Sequence, residues 1–206
     1  IEIVLSGNPV NENISNLAKN LPTDNKDESD SMNILILGGS QGSQRLNELI
    51  PLVLNNLGKV SIKHQCGIGN LQDTELSYDA ANIDFLKIEV CEFIDNMDGA
   101  YHWSDIVICR SGALSVTEIM ASGSIAIFIP LPWSIDNHQF YNAKQLKDKN
   151  AGYLIEESIT LSDDLIELFK FIRDDQNKGQ LKSMKQNALN CFIKDSENTI
   201  FEKVVN

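Results

Sequence analysis

Several absences narrow the possibilities before any motif is read. No apolar run approaches the roughly 20 residues that a bilayer-spanning helix needs. The longest, around residues 125–131, is closed by Pro130 and Pro132. The four cysteines, Cys66, Cys91, Cys109 and Cys191, include no CxxC pair and no zinc-site spacing. An intracellular, reducing compartment is the simplest reading, with Cys109 a buried thiol at the end of an apolar strand. His64, His102 and His138 fall into neither HxxxH nor HxxEH, so no metal site and no cofactor are expected. Basic residues are few: 17 against 29 acidic, a net charge of −12. They are scattered, and a protein that tracks nucleic-acid phosphates needs a basic face, so nucleic acid is not an expected partner. The first ten residues, IEIVLSGNPV, have no basic region and are too short for a signal peptide. They open on an apolar strand without a Met, so the chain is expected to continue a longer one.

What is present is enough for one well-cored domain or at most two small ones: 206 residues, 42% of them hydrophobic. With 22% charged residues and a mean hydropathy of −0.17, the chain reads as soluble and globular. An acidic domain that binds an anion is expected to use backbone N–H groups and helix ends more than Lys or Arg side chains.

Residues 21–31 (LPTDNKDESDS) are polar and acidic, a linker or surface loop whose core, 22–31, is either an ordinary long loop or disordered. It separates residues 1–21, read as a strand and linker, from residues 32–206. Beyond it, apolar strands alternate with amphipathic helices. Strands are predicted at 33–37 (NILIL), 60–64, 85–90, 106–109, 125–129 and 153–155. Helical spacing links Leu46, Leu49, Ile50, Val53, Leu54 and Leu57. Further helices are predicted over 94–102, over 114–122 with Gly123 as stop, over 137–149, and from Ser162 to the end with Ser162 and Asp163 as cap. This alternation implies an α/β fold, a Rossmann-like, doubly wound parallel sheet. Ligands of such sheets bind beyond the carboxyl ends of the strands, at the point where strand order reverses.

Two strands are followed by glycine turns that lead straight into helices, GGSQGS (residues 38–43) and RSGALS (residues 110–115). Glycine lets the backbone turn sharply and approach a ligand, and a helix N-terminus offers free N–H groups and partial positive charge. Neither loop is GxGxxG or a P-loop. Singly, each is either a phosphate site or a plain turn; together they favour a diphosphate. Arg110 either pairs with an anion or serves the loop itself. Glu118, one turn into the second helix, either complements the helix dipole or accepts two ribose hydroxyls. After the strand IAIFIP, the run LPWSIDNHQFYNA offers Asp136, Asn137, His138, Gln139 and Asn142. These suit sugar hydroxyls, although a cap at Asp136 or Asn137 accounts for part of the pattern.

In order, GNPV, GGSQGSQRLN, EFIDNM, CRSGALSVTEI and DNHQFYNA resemble the C-terminal domain of the MurG-type peptidoglycan glycosyltransferases, from about Gly7 to the C-terminus except the acidic segment. The resemblance implies one half of a GT-B fold, two Rossmann-like domains facing a cleft, with this chain as the half that binds UDP-GlcNAc. The implied acceptor is the lipid-linked muramyl pentapeptide (lipid I), converted to lipid II at the cytoplasmic face of the inner membrane. It implies that Ser40 contacts the donor and that the Ile94 backbone meets the uracil edge. Ala113, Leu114, Ser115, Val116, Thr117 and Glu118 would line the diphosphate and ribose, with Glu118 on the ribose hydroxyls. Gln139, with His138 and Asn142, would face the GlcNAc hydroxyls. The reaction implied is inverting and without metal. Its base and acceptor site would belong to an N-terminal domain with a GGHxxP loop, which nothing in these residues matches, so no catalytic residue is expected here. The chain departs from the pattern at Asn11, where Arg is frequent, at Ile68, often Lys, at His138, where some members have Gln, and in the acidic insertion. The readings that compete are a stand-alone donor-domain subunit working with a membrane-bound partner, as in eukaryotic single-domain relatives, and a non-catalytic nucleotide-binding module. An NAD enzyme is weakest, because no acidic residue ends the strand 60–64.

Overall fold

A computed structural model describes residues 3–17, 32–39, 41–55, 57, 60–81 and 87–205. Its centre is a parallel sheet of β1 (Met32–Leu37), β2 (Val60–Gln65), β3 (Lys87–Cys91), β4 (Ile106–Cys109), β5 (Ile125–Phe128) and β6 (Tyr153–Leu154). The strand order is β3-β2-β1-β4-β5-β6. The chain therefore winds one way from β1 and the other way from β4, and the switch point lies between these two neighbours.

The nine α-helices among the described residues are α1 (Glu12–Leu17), α2 (Gln44–Leu54), α3 (Leu71–Ala80), α4 (Met97–Trp103), α5 (Ala113–Ser122), α6 (His138–Asp148), α7 (Leu161–Arg173), α8 (Lys178–Cys191) and α9 (Ser196–Val205). Because side chains alternate along a strand, the central strands feed two cores. Ile34, Ile36, Ile106, Ile108 and Ile127 pack with Leu46, Ile50, Leu165 and Phe169 of α2 and α7. Leu35, Leu37, Val107, Ala126 and Phe128 face the other way, onto Ile119, Ala143, Leu146 and Ala188. All of these side chains are buried, and each fully buried aliphatic contributes about 1.5–3 kcal/mol against exposure. Burial on both faces explains why β1, β4 and β5 read as unbroken apolar runs.

Some expectations change. Residues 3–11 form no strand and lead into α1, so the N-terminal segment is not the strand its apolar start suggests. The helix expected from residue 94 begins only at Met97, capped by the Asn96 side chain, which accepts from Gly99 N at 2.9 Å. That leaves Ile94 on a loop. The helix expected from Ser162 to the end is three helices. The first starts one residue earlier, after Thr160, so Ser162 and Asp163 lie inside its first turn and do not cap it. Breaks at Asp174 and Phe192, both extended, separate the rest. Neither Asp136 nor Asn137 caps α6 through its side chain; both take left-handed backbone at φ 52° and 53°. The acidic segment 22–31 lies outside the described residues.

Candidate functional site

Both glycine loops leave the carboxyl ends of the two central strands, β1 and β4, which are paired in register from Ile34↔Ile106 to Leu37↔Cys109. Between them lies a cleft of about 710 Å³ lined by Gly38, Gly39, Gly42, Ser43, Arg110, Gly112, Ser115 and Gln139, with carboxylates from Glu48 and Glu157 at its walls. A larger cleft, about 850 Å³, opens beyond β6 and α7. Its lining carries Glu156, Glu157, Asp164 and Glu167, an unfavourable host for a diphosphate.

The first loop is held by backbone. Gly38 N donates to Gln65 O at 3.0 Å, and Gly42 N to Gly39 O at 3.0 Å. Gly42 and Gly67 press against each other. A Cβ on Gly42 would stand 2.1 Å from Cys66 O, and one on Gly67 would stand 2.2 Å from Gly42 N. Behind this contact is a buried polar relay. Asn47 Nδ2 donates to Cys66 O at 3.0 Å, so Asn47 Oδ1 faces His64 Nε2 at 3.1 Å. An amide oxygen only accepts, so Nε2 of His64 carries the proton. Nδ1 is then the acceptor and Tyr78 Oη, 2.9 Å away, the donor. Burial pushes the His64 pKa down to about 3, which keeps this neutral tautomer. Ser43 starts α2, its hydroxyl accepting from Leu46 N. Ser40 lies outside the described residues.

The second loop is tied to the first by Arg110. Its Nε and Nη2 donate to Ser43 Oγ at 3.2 and 2.8 Å. Nη1 donates to the carbonyls of Ile129 and Pro130 at 3.1 and 3.2 Å and lies 2.6 Å from Glu157 Oε2. Of the two readings open for Arg110, the structure therefore shows the internal one: its guanidinium clamps the loops together, and its charge is matched by Glu157. Ser111 extends the clamp, its hydroxyl donating to Gln139 O at 2.8 Å while its carbonyl accepts from Asn142 Nδ2 at 3.1 Å.

The start of α5 carries the backbone donors of the second loop. Gly112 is its N-cap and Val116 N closes the first turn onto Gly112 O at 3.0 Å. The N–H groups of Ala113, Leu114 and Ser115 precede that bond, at the positive end of the helix. Ala113 and Leu114 are exposed and Ser115 is half-buried. The side chains of Val116 and Thr117 are buried. Thr117 Oγ1 donates to Ala113 O at 2.8 Å and accepts from Asn8 Nδ2 at 3.1 Å. Within the stretch Ala113 to Glu118 these two serve the core rather than the cleft.

Glu118 is half-buried, and Tyr101 Oη donates to its Oε2 at 2.9 Å. Burial raises the Glu118 pKa, and the Tyr101 bond opposes that rise. Ile94 is half-buried and packs against the second core. Gln139, in the lining of the cleft, accepts through Oε1 from Leu131 N at 3.0 Å, and His138 Nδ1 stands 2.7 Å from Ile135 O. Among the described residues no group of three or more His, Cys, Asp and Glu is placed to hold a metal ion, and no helix is long and apolar enough to cross a membrane.

Sequence reading missed Asn8, Asn47, Tyr101 and Glu157, because each acts through a partner far along the chain. One signal was legible: in VSIKH the inward positions are Val60, Ile62 and His64, and a histidine on an apolar face must find buried partners.

The profile of the glycosyltransferase family 28 C-terminal domain matches residues 33–200. The chain is 38% identical over 202 residues to the UDP-N-acetylglucosamine–N-acetylmuramyl-(pentapeptide) pyrophosphoryl-undecaprenol N-acetylglucosamine transferase of Francisella philomiragia, covering 96% of this chain and 53% of that protein. The enzyme of the same name from Shewanella denitrificans is 36% identical over 199 residues, with 95% and 53% covered. The chain thus spans about half the length of these relatives. The crystal structure of Acinetobacter baumannii MurG superposes with a TM-score of 0.76 at 35% identity, over 85% of this chain and 50% of that one. A Rickettsia africae glycosyltransferase shares the fold, with a TM-score of 0.59 at 13% identity over 97% of this chain and 53% of its own. The switch-point cleft, the paired glycine loops and these likenesses agree: the chain belongs to glycosyltransferase family 28, as its C-terminal domain.

Proposed function

We propose that this chain is the donor-binding half of an inverting N-acetylglucosaminyltransferase that moves GlcNAc from UDP-GlcNAc to the lipid-linked muramyl pentapeptide of peptidoglycan synthesis. The observation that carries the proposal is the Arg110 clamp, which joins both glycine loops over one cleft with the α5 N-terminus facing it. A diphosphate seated there meets fixed N–H dipoles. As the acceptor hydroxyl attacks the anomeric carbon and UDP departs, those dipoles stabilise the charge that develops on the leaving phosphate, the electrostatic task at which preorganised donors are most effective. They need no metal to do so.

The rest of the donor maps onto the rims. Glu118 accepts from the ribose hydroxyls, and the backbone at Ile94 meets the uracil edge. Gln139, its carbonyl oxygen held by Leu131 N, presents its amide Nε2 to the GlcNAc, with His138 and Asn142 beside it. Ser40 also contacts the donor. The general base and the acceptor site are assigned to the rest of the protein, which would work at the cytoplasmic surface of the inner membrane. Calorimetry of this chain with UDP, UDP-GlcNAc and ADP tests the reading. UDP and UDP-GlcNAc are expected to bind and ADP not, with about a tenfold or greater loss in Glu118→Ala, the scale of a hydrogen bond to a charged group. Indifference to the base would sink the donor assignment. A transferase rate from this chain alone would sink the division of labour.

A further inference from the structure

We propose that Tyr101 is a positioning residue for nucleotide recognition, aiming the Glu118 carboxylate at the ribose and coupling that contact to the base-reading loop. The inference rests on the donor reading above and deepens it. Tyr101 is 3% exposed and sits on α4, while Glu118 sits on the neighbouring α5. Their link is a single hydrogen bond of 2.9 Å, from Tyr101 Oη to Glu118 Oε2. An ionised carboxylate only accepts, so the hydroxyl is the donor.

Two consequences follow for Glu118. A vicinal diol is read best by a carboxylate with both oxygens in a fixed plane. Tyr101 pins one oxygen from the protein side, leaving Oε1 and the second lone pair of Oε2 for the ligand, so less side-chain freedom is lost on binding. Burial also works against the charged form of Glu118, and the hydroxyl works for it, as a donor to a carboxylate does. The hydroxyl thus keeps a half-buried acceptor ionised.

The position of Tyr101 adds the coupling. Its helix begins three residues after Ile94 and is anchored there by the Asn96 cap. Ile94, Met97 and Tyr101 pack on the same core as Val116 and Ile119 of α5. The segment assigned to the base and the helix that carries the ribose contact therefore share one packed core, joined at its polar end by this bond. A tyrosine needed only for packing would leave ribose selectivity unchanged when its hydroxyl is removed.

The test is calorimetry with UDP and 2′-deoxy-UDP on the unaltered chain, Tyr101→Phe, Glu118→Ala and the double variant, with melting curves as a control for folding. The unaltered chain is expected to prefer UDP by about tenfold, the scale of a hydrogen bond to a charged group. Tyr101→Phe is expected to fold and to cut that preference by about threefold or more, a coupling typical of residues in one network, with 2′-deoxy-UDP affinity nearly unchanged. Glu118→Ala is expected to abolish the preference, and adding Tyr101→Phe to it to change nothing more. If Glu118→Ala abolishes the preference while Tyr101→Phe leaves it intact, the positioning role is overturned and the ribose reading stands. If Glu118→Ala itself leaves the preference intact, the ribose reading falls and takes the proposal with it. An added loss in the double variant also overturns the proposal, because Tyr101 would then act by another route.

Discussion

In the loop after β1, Gly42 has φ +77° and its backbone lies against Gly67, itself at φ +87°. In the loop after β4, Gly112 has φ −62° and ψ 151°, an ordinary extended conformation, and a Cβ there would meet nothing within 4 Å. The first pair is glycine because the protein's own backbone occupies the space where side chains would be. Gly112 has no such internal reason: its backbone suits any residue, and the space it leaves open belongs to the cleft. The two loops look alike as sequence, but at Gly42 the first is packed against the protein's own backbone, whereas at Gly112 the second is open to the cleft. Arg110 makes a single site of them by donating from the second loop to Ser43 of the first.

The largest effect is expected where the packing claim is strongest. Gly67→Ala puts a Cβ 2.2 Å from Gly42 N in a left-handed conformation, and Gly42→Ala meets Cys66 O in the same way. Strain and overpacking each cost about 1–3 kcal/mol, so each variant is expected to lose about 3 kcal/mol or more in urea unfolding. A loss below about 1 kcal/mol in both would break the comparison, since the first loop would then be no more constrained than the second.

Acid is expected to act on the first loop next. His64 supports it through Asn47 and Cys66 O, and its folded pKa is lowered from 6.5 to about 3. Between those values the unfolded chain binds the extra proton, so stability falls as pH drops through that window. The slope from this group approaches about 1.4 kcal/mol per pH unit. Glu118 works in the opposite sense: its folded pKa is raised, so its contribution is present at low pH and lost as pH rises. Comparing pH-dependent unfolding of the unaltered chain with His64→Gln isolates the histidine. The variant is expected to show the shallower slope between pH 6.5 and 3, and identical slopes would mean that His64 is not held neutral.

How far these features were legible in the sequence follows the same division. The strands at 33–37, 106–109 and 125–129 lie within a residue of β1, β4 and β5, because burial on both faces leaves an apolar run bounded by turns. Glycine followed by helical spacing located both loops. Two helices escaped. In α3 only Thr74 and Tyr78 are buried, so there is no apolar stripe to read, and α1 spans only six residues. The helical tail was merged into one because its apolar spacing runs on through turns that only packing reveals. Of the side chains singled out, Gln139 lines the cleft, Asn142 is tied to the Ser111 carbonyl and Glu118 to Tyr101. Val116 and Thr117 turn inward, which helix phase decides. The contacts that assemble the cleft were invisible: Arg110 with Glu157, Asn47 with His64, and Tyr101 with Glu118 are tertiary pairings with no local signature.

Gly112→Ala is the smallest expected change and the sharpest test of the comparison. At the N-cap alanine is less favourable than glycine, but alanine also restricts the unfolded chain, worth about 0.4–1 kcal/mol in the other direction. With φ at −62° and open space around the new methyl, the two terms are expected to leave stability within about 0.5 kcal/mol. The ligand has no such compensation. A methyl in front of the Ala113, Leu114 and Ser115 N–H groups keeps a phosphate from its closest approach, so UDP affinity is expected to fall about tenfold, or about 1.4 kcal/mol. Uridine, which carries no phosphate, is expected to lose nothing. If UDP and uridine respond alike, the vacancy at Gly112 is not the phosphate approach. If UDP alone is lost from a chain that melts as before, the second loop is vacant for its ligand, whereas the first is glycine for the fold.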